Sequence, residues 1–445
     1  MLNILIINGS PKGKNSITLQ TTLYLQKRFP QYNFNILNVT RFLNDSSKEA
    51  MLEADLIIFS YPVYTCLVPY QLHRYIELIK ESKITLTNKF ATQITTSKHF
   101  YDVTAHKFIE QNCYDLGLKY IKGLSADMED LQKPHGRSAA DDFFEKVIFN
   151  ISHEIYSRQN ILYTSINKVP YKSTLPNRPK KTDKDIVLIT NVKEDDTNLK
   201  NMIRDFKNGS LYDVREINIR NFPFQGGCIG CFKCTIDGTC IYKDNFSDLL
   251  SKQIHNADAI FYAFTIEDHY THSSFKCFED RQFANGHRVL TKGKITGYII
   301  SGDYQNETNI QTIVQARSDI AKMYLAGVAT DEGNTKKDII NLINSTTYAL
   351  KHNLNSSKSF YSVGGSKIFR DLVFQTQGFM QADHKFYKQT GEYDFPHKNI
   401  SVILGMKVLG MLISSEQAKK YMPAPLSEYM LMPYKKVIDK TCPKK

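Results

Sequence analysis

Residues 3–18 read NILIINGSPKGKNSIT, and this stretch indicates the fold of the N-terminal region. Its first six residues, Asn3 to Asn8, are mostly aliphatic, as is typical of a strand that is buried on both faces of a parallel sheet. Gly9 and Pro11 end the strand, and a stretch of helical length follows from Ser16 to Arg28. A strand, a glycine-containing turn and a helix in this order predict the start of a doubly wound α/β domain.

The same succession of strands returns in the second half of the chain. Three strand-like segments recur in order: Asn3 to Asn8 as Asp185 to Asn191, Ala54 to Phe59 as Ala257 to Tyr262, and Lys89 to Ser97 as Lys294 to Gly302. The interval between the first two segments is about 20 residues longer in the second copy, which is the length of a glycine- and cysteine-rich segment from Gln225 to Asn245. Helical stretches separate the strands, so we predict an α/β protein with two tandem doubly wound parallel-sheet domains.

Changes in composition mark the expected domain boundaries. We place the first domain at residues 1–165, a basic linker with three prolines at 166–184, the second domain at 185–355 and a C-terminal extension at 356–445. The strand pattern fades in the extension, and its apolar stretches predict helices.

The charge of the chain is distributed unevenly. Its 57 basic and 45 acidic side chains give a formal net charge of +12, which by itself would suit nucleic acid or a membrane surface. The linker contributes +5 and the extension +7, whereas the two domains are nearly neutral at +2 and −2. Neither domain has the charge of a nucleic-acid-binding module, so we expect no nucleic-acid partner.

From its sequence we expect the protein to be neither exported nor membrane-spanning. The N-terminus lacks the basic-then-apolar order and the small-residue cleavage site of a signal peptide, and its apolar run is only as long as a strand. The apolar stretch from Val402 to Ile413 is shorter than the roughly 20 residues that cross a bilayer. The sequence therefore predicts a cytoplasmic protein, in which the eight cysteines are not expected to form a disulfide framework.

The loop after the first strand has the composition of a phosphate site. From Gly9 to Thr18 it combines glycines, hydroxyls and amides with the start of a helix, whose N-terminus favours an anion. The glycine spacing fits neither the dinucleotide loop nor the P-loop, so a mononucleotide is the better candidate. The alternative is a turn that only caps a helix.

This loop resembles that of the NADPH-dependent FMN reductase superfamily of flavodoxin-like proteins, which reads G-S-P-[RK]-x-x-x-[SN]-x-T and surrounds the FMN phosphate. Ser60 to Tyr64 (SYPVY) is similar to the family's segment beside the isoalloxazine ring, and Thr95 to Phe100 (TTSKHF) to its third flavin loop. The resemblance implies two flavodoxin-like domains and FMN in the first. The implied FMN-binding residues are Ser10, Lys12, Asn15, Ser16, Ile17, Thr18, Pro62, Val63, Tyr64, Thr96 and Ser97. We assign no catalytic residue, because His99 is equally well explained as a surface residue.

The second copy has lost these features. Residues 190–197 (TNVKEDDT) replace the phosphate loop with three adjacent carboxylates, which would repel a phosphate. Residues 265–269 (TIEDH) replace the Pro-Val-Tyr segment. Lys276, Asp280 and Arg281 still resemble the family's K-x-x-x-D-R helix. We therefore predict a related domain with a degenerate flavin site.

Four cysteines cluster in the second half. Cys228, Cys231, Cys234 and Cys240 have the form C-x2-C-x2-C-x5-C, and closely spaced thiolates can converge on one soft metal centre. A [4Fe–4S] cluster fits, and the segment resembles the compact cysteine motif of iron–sulfur flavoproteins. Zinc, a disulfide and cysteines without a cluster remain alternatives. The other cysteines, which we interpret as ordinary thiols, are Cys66, Cys113, Cys277 and Cys442.

The resemblance implies an FMN-dependent oxidoreductase that passes electrons from NAD(P)H through FMN to a small-molecule or protein acceptor, by way of a [4Fe–4S] cluster if one is present. Iron–sulfur flavoproteins assemble with one subunit's cluster near another's FMN. We therefore hypothesise that the tandem copies form a pseudo-dimer within one chain, with FMN in the first half and the cluster in the second.

A non-enzymatic function competes with the reductase. The chain could be a flavin-bearing redox sensor or electron-transfer protein whose basic extension engages a partner or a membrane surface. The apolar stretch from Val402 to Ile413, followed by Lys419 and Lys420 and by Lys435 and Lys436, motivates this interpretation. We favour the simpler expectation that the extension is solvated and packs an amphipathic helix on the body of the protein.

Overall fold

The fold was taken from a computed structural model, which describes residues 1–158, 169–393, 399–415 and 425–443. The contacts between residues divide the chain into two units. The first unit comprises Met1–Leu162, Gly227–Cys231 and Glu416–Lys445, and the second comprises Tyr163–Gly226 and Phe232–Ser415. Residues 166–168 of the predicted linker, residue 165 at the end of the first predicted domain, and Lys419 and Lys420 lie outside the described residues.

Parallel strands form the sheet of the first unit. They are β1 (Asn3–Asn8), β2 (Asn33–Asn38), β3 (Leu56–Pro62), β4 (Phe90–Ser97), β5 (Lys119–Tyr120) and β6 (Leu124–Asp127). The order across the sheet is β2-β1-β3-β4, and the two short strands β5 and β6 both pair with the outer edge of β4. The helices between them are α1 (Ile17–Arg28), α2 (Asp45–Glu53), α3 (Tyr70–Glu81), α4 (Asp102–Asp115) and α5 (Pro134–Ser152).

The central strands of this sheet are buried because their side chains are mostly aliphatic. Every residue of β4 is buried, and β1 and β3 are buried except for one end residue of each, as expected for parallel strands that helices cover on both faces. Ile4 and Ile6 of β1 share a core with Leu25 of α1 and Phe144 of α5. The strands therefore hold the loops at their carboxyl ends in fixed positions.

The second unit repeats this topology. Its strands are β7 (Lys181–Thr190), β8 (Tyr212–Asn218), β9 (Ala259–Glu267), β10 (Tyr270–Thr271), β11 (Ile295–Ser301) and β12 (Tyr324–Thr330). The order β8-β7-β9-β11-β12 is that of the first sheet, and the two-residue strand β10 pairs antiparallel with β9. The helices are α6 (Thr197–Gly209), α7 (Lys233–Asp237), α8 (Phe246–Asp248, continued by a π-helical turn, Leu249–Ile254), α9 (Ser273–Arg281), α10 (Thr308–Ile320) and α11 (Thr335–His352). The prediction of two doubly wound parallel-sheet domains is confirmed.

The end of the predicted linker is already part of the second sheet. β7 begins at Lys181, four residues before the expected start at Asp185. The segment before it is fastened to α6, because the buried carboxylate of Asp205 accepts hydrogen bonds from Ser173 Oγ at 2.6 Å and from the backbone amides of Thr174 and Leu175 at 3.0 Å.

The C-terminal extension is helical, as expected. Its helices are α12 (Phe360–Gln375), α13 (Gln381–Thr390), α14 (Ile400–Ile413) and α15 (Pro425–Lys440). The first three belong to the second unit and α15 to the first, where Tyr434 joins the core beside α1. In the described residues no helix is both long and apolar enough to cross a membrane.

Candidate functional site

Three loops of the first unit meet at one edge of its sheet. β3 lies between β1 and β4, and all three strands are parallel. Asn8 pairs with Ser60, and Pro62 pairs with Thr96, so the strands reach similar levels. In a sheet of order 2-1-3-4-5, ligands bind outside the carboxyl ends of the strands, next to the switch point between β1 and β3. The three predicted flavin loops all follow these strand ends.

The first loop is held in shape by its own polar groups. Asn8 Nδ2 donates to the Gly13 carbonyl at 3.0 Å, and Ser10 Oγ accepts from the Lys12 amide at 3.3 Å. Gly13 has a φ of +53°, which favours glycine. Ser16 Oγ caps α1 by accepting from the Leu19 amide at 3.3 Å. The other first-turn amides of the helix have no partner within it, so this end of α1 favours an anion.

A hydrogen bond joins the first loop to the third. Thr18 Oγ1 and Thr96 Oγ1 lie 2.6 Å apart, and both side chains are buried. Ser97 Oγ accepts from the His99 amide at 2.8 Å. Several of the predicted FMN ligands therefore also fix the conformations of the loops that carry them.

The second loop combines a tight turn with a buried hydroxyl. The backbones of Tyr64 and Leu67 exchange two hydrogen bonds of 2.8 and 2.9 Å, and Thr65 and Cys66 between them have φ values of +44° and +66°. Among the described residues, the Ser60 hydroxyl at the start of this loop is buried without a hydrogen-bond partner. A buried polar atom normally has a partner, so this edge has unused capacity to bind a polar ligand.

A short segment of the cysteine motif completes the first unit at this edge. A β-carbon on Gly230 would lie 2.3 Å from Tyr64 Oη and 2.9 Å from Lys12 Cε, so the backbone there contacts both loops. Gln71 Nε2 donates to the Cys228 carbonyl at 3.4 Å. Burial lowers the pKa of Lys12 to about 8, and the nearby sulfurs of Cys228 and Cys231 act in the opposite direction. The Lys12 ammonium and two thiols therefore lie together beside the loops that the sequence predicts to bind flavin.

The third loop carries a polar cluster that the sequence did not reveal. His99 Nδ1 lies 2.9 Å from Asp102 Oδ2, and Ser125 Oγ donates to the same carboxylate oxygen. Burial raises the pKa of Asp102, but the hydrogen bonds from Ser125 and His99 outweigh it and the pKa is lowered. No motif signals this cluster, because Ser125 is on β6, 26 residues after His99.

A second histidine, His106, lies on α4 behind the third loop. His106 Nε2 lies 2.8 Å from the hydroxyl of Thr95, in a half-buried position on α4. Burial lowers the pKa of His106 to about 4, although the charge of Asp102 opposes the shift. The imidazole is therefore neutral near pH 7 and supports the third loop from inside.

The four cysteines of the motif are not gathered into a ligand set. All eight cysteines are free thiols. Cys228 and Cys231 belong to the first unit, whereas Cys234 and Cys240 belong to the second. Within the described part of the chain, no group of three or more His, Cys, Asp or Glu side chains is arranged to hold a metal ion. The residues as they stand do not fit a [4Fe–4S] cluster, and that cofactor stays a prediction.

Arg281 organises the second half of the cysteine motif. Its guanidinium makes two hydrogen bonds to the Asp244 carboxylate, at 2.7 and 2.8 Å, donates to the Gly226 carbonyl at 3.0 Å and lies 4.0 Å from Cys240 Sγ. It also lies 4.3 Å from the ring centre of Tyr242. The K-x-x-x-D-R residues thus have a structural role, since Lys276 and Asp280 form a buried ion pair on the same helix.

The equivalent edge of the second sheet is filled by carboxylates. Asp196 caps α6 by accepting from the Leu199 amide at 3.4 Å, and it also accepts from Thr265 Oγ1. Lys193 pairs with Glu267 at 2.9 Å. In the first unit Ser16 and Thr18 are at the corresponding start of α1. The second unit therefore has the Asp196 carboxylate where the first unit has hydroxyl groups.

Comparison with known proteins gives a family match for the N-terminal part of the chain. Residues 2–108 match a family model described as flavodoxin-like fold. No curated protein matches the chain. The chain resembles an NADPH-quinone reductase from P. pentosaceus at 14% sequence identity, over 33% of this chain and 97% of that chain, with a TM-score of 0.28. It resembles an FMN-dependent NADH-azoreductase from Bacillus anthracis, in complex with FMN, at 15% identity, over 35% of this chain and 100% of that chain, with a TM-score of 0.25. It also resembles general stress protein 14 from Treponema denticola, in complex with FMN, at 10% identity, over 34% of this chain and 99% of that chain, with a TM-score of 0.28.

The family match covers the strands and loops that build the edge described above. It ends inside α4, just beyond the third loop. The second sheet has the same strand order as the first. The chain therefore consists of two flavodoxin-like domains in tandem, with a helical C-terminal region.

Proposed function

We propose that the chain is an FMN-dependent oxidoreductase that is reduced by NAD(P)H and passes electrons to an acceptor. The observation that carries this proposal is the meeting of the three loops after β1, β3 and β4 at the switch point of the first sheet. Each of these loops has the residue pattern of an FMN reductase loop. The match of residues 2–108 to the flavodoxin-like family model supports it.

The residues at this edge fit FMN. The start of α1 and the Lys12 ammonium would bind the phosphate. The turn from Pro62 to Tyr64 is partly exposed and offers a surface for the ring, and the buried Ser60 hydroxyl gives a polar cofactor an unused partner. When bound, FMN supplies the hydride-accepting and electron-donating chemistry.

The protein's own residues position the cofactor and hold protons. The Thr18–Thr96 hydrogen bond keeps the first and third loops at a fixed separation. Asp102 orients the His99 ring through the 2.9 Å contact between its Oδ2 and His99 Nδ1. The exposed His99 side chain is therefore the best candidate for a proton donor in this loop.

The Lys12 side chain allows a direct test of the phosphate site. We expect Lys12→Met to weaken FMN binding roughly tenfold to a hundredfold, since a charge-assisted hydrogen bond contributes about 1.5–3 kcal/mol. Riboflavin lacks the phosphate, so its affinity should change little. Lys14→Met, in the same loop but exposed, is the matched control. Flavin-fluorescence titration with both ligands measures these differences.

Turnover tests the rest of the proposal. The FMN-loaded protein should oxidise NADPH or NADH steadily with an artificial acceptor. If Lys12→Met weakens FMN and riboflavin equally, the phosphate does not bind at this loop. If the protein binds no flavin at all, the proposed function fails.

The second flavodoxin-like domain is proposed to bind no FMN. The Asp196 carboxylate already caps α6, and Glu194 and Asp195 add negative charge at the same helix start. A phosphate dianion would be repelled there. Iron and sulfide assays on anaerobically purified protein test whether the four motif cysteines bind a cluster, and about four iron atoms per chain would support one.

A flavin-bearing redox sensor or electron-transfer protein is the second candidate. It is favoured by the exposed apolar face of α14, where Leu404, Val408 and Met411 are more than half exposed. This candidate shares the FMN site and differs in turnover. Bound FMN without steady NAD(P)H oxidation would select it over the reductase.

A further inference from the structure

Helix α14 is apolar on the side that faces solvent. Its buried side carries Ile403, Gly410 and Ile413. On the opposite side, Ile400, Leu404, Val408, Met411 and Leu412 are between 53% and 70% exposed. A helix that is hydrophobic on every side is normally buried, either in a protein core or in a membrane. The sequence predicts an amphipathic helix, whereas among the described residues α14 has one packed apolar side and one exposed apolar side.

The inner side of α14 is firmly packed on the second unit. A β-carbon on Gly378 would lie 1.9 Å from the Met406 carbonyl oxygen, so the two backbones are in direct contact. Gln381 Nε2 donates to the Gly410 carbonyl at 3.4 Å, and Ser414 Oγ donates to Gln381 Oε1 at 3.2 Å. These contacts orient the helix, and its apolar outer side is therefore a fixed surface.

The exposed charged side chains of this part of the chain are mostly basic. In the described residues of 356–415 the exposed basic side chains are Lys358, Lys367, Lys385, Lys388 and Lys407. Of the three carboxylates in the same residues, Asp383 is buried and Glu392 pairs with Lys322 at 2.5 Å, which leaves Asp371 exposed. Lys407 is on α14 itself, so at least one of these exposed ammonium groups belongs to the helix.

We propose that α14 docks this protein onto the surface of an anionic lipid membrane, with its outer apolar side in the headgroup layer. The helix has 14 residues and is about 21 Å long, too short to span a bilayer but suited to lie in its interface. Exposed Lys407 on the same helix, together with the basic excess among the exposed side chains of residues 356–415, complements anionic headgroups. A protein partner fits less well, since protein interfaces are rich in aromatic residues and hydrogen bonds and the exposed side of α14 carries aliphatic side chains.

A single tryptophan can report this contact, because the chain contains none. Met411→Trp places an indole on the proposed surface, where Met411 is 70% exposed. Phe42→Trp, at a 78% exposed position in the first unit, is the matched control. With vesicles of phosphatidylcholine containing roughly one third phosphatidylglycerol, the Met411→Trp variant should show a blue-shifted emission. The control should not, and vesicles of phosphatidylcholine alone should cause a smaller shift.

Vesicle flotation measures the strength of binding. Replacing Leu404, Val408 and Leu412 together by Gln should lower the bound fraction at least about tenfold, because these side chains would no longer leave water. Lys407→Glu should lower it about tenfold at low salt and less at high salt. All of these side chains are exposed, so the variants are expected to fold, and circular dichroism checks this. The readout does not depend on flavin or turnover.

Three results would overturn the proposal. The first is an unshifted emission from the Met411→Trp variant together with no flotation on anionic vesicles. The second is an emission that is already blue-shifted without vesicles, which would mean that the chain itself covers the face. The third is a shift that depends on protein concentration instead of lipid, together with a dimer in light scattering, which would assign the surface to a second copy of the chain.

Discussion

The hydroxyls of Thr18 and Thr96 are 2.6 Å apart and bring together two loops that are 78 residues apart in sequence. Neither side chain needs to touch FMN to matter for its binding. A loop that is held in its bound conformation loses less entropy when the ligand arrives. At the scale of single residues, the candidate site therefore depends on the hydrogen bonds between its loops as well as on its ligands.

Removing this hydrogen bond should weaken the cofactor's binding. We expect Thr18→Val to raise the dissociation constant for FMN roughly fivefold to tenfold, because a neutral hydrogen bond contributes about 1 kcal/mol. Thr92→Val is the control. It removes a buried hydroxyl from the same strand as Thr96, and among the described residues that hydroxyl has no hydrogen-bond partner. Equal losses in both variants would show that the Thr18–Thr96 pair plays no special part.

His106 makes the first unit sensitive to acid. Its folded-state pKa is lowered from 6.5 to about 4 by burial. Between these values the unfolded chain binds more protons than the folded one, so stability is fully present above about pH 6.5 and is lost as the pH falls towards 4. Between pH 7 and pH 4.5, we expect the free energy of unfolding of the His106→Gln variant to fall by ~2 kcal/mol less than that of the wild type. Urea unfolding near pH 7 and near pH 4.5 measures it. An unchanged pH dependence would contradict the assignment, and His135→Gln, at an exposed position, is the control.

At the scale of elements, a single carboxylate fastens the segment before β7. Asp205 on α6 accepts bonds from the Tyr171 hydroxyl, the Ser173 hydroxyl and two backbone amides. The hydrogen bonds lower its pKa against the opposing effect of burial. The sequence of this segment is rich in proline and lysine, which is typical of a free linker. The acceptor that orders it lies about 30 residues later in the chain.

Substituting this carboxylate should release the segment. We expect Asp205→Ala to destabilise the second unit by ~1–3 kcal/mol, because several partly buried donors lose their partner. Residues 171–175 should then be cleaved faster in limited proteolysis. The exposed carboxylate of Asp213 on β8 provides the control, and Asp213→Ala should leave both measurements unchanged. Cleavage at the wild-type rate in Asp205→Ala would contradict this account.

The contact of Gly230 with Tyr64 predicts that the cysteine segment influences the flavin. Gly230→Ala would place a methyl group 2.3 Å from Tyr64 Oη, so Tyr64 must move. We expect a changed absorbance spectrum of bound FMN and affinity lowered several-fold. Gly238→Ala carries the same backbone strain, since φ is +78° against +64°, but its nearest neighbour is Arg288 Nη1 at 3.3 Å. If the two variants behave alike, the segment does not touch the flavin site.

At the scale of the whole molecule, the same sheet occurs twice, and the two copies differ at the start of the first helix of each domain. Both sheets have the same strand order, yet a serine hydroxyl caps α1 and a carboxylate caps α6. We therefore expect one FMN per chain, because the second helix start repels a phosphate. Flavin released by denaturation, divided by the protein concentration, measures this ratio. Two FMN molecules per chain would show that the second domain has kept its site.

Much of this architecture was predictable from local patterns. The run from Asn3 to Asn8 and its repeat from Asp185 to Asn191 predict buried parallel strands, because strands covered on both faces must be apolar along their whole length. The loop residues from Gly9 to Thr18 follow from the needs of a tight turn and a helix start. The cluster of His99, Asp102 and Ser125 could not be predicted, since no sequence spacing links neighbouring parallel strands.

The fold class, the duplication and the three loops could be read from the amino-acid sequence, because each of these depends on residues that are close together in the chain. Long-range contacts determined the rest, and these are visible only in the folded protein. They include the hydrogen bond between Thr18 and Thr96 and the hydrogen bonds from the predicted linker to Asp205. They also assign two cysteines of the motif to each of the two units. Folding also left the outer side of α14 exposed, since local hydrophobicity shows that a surface is apolar but not whether another element covers it.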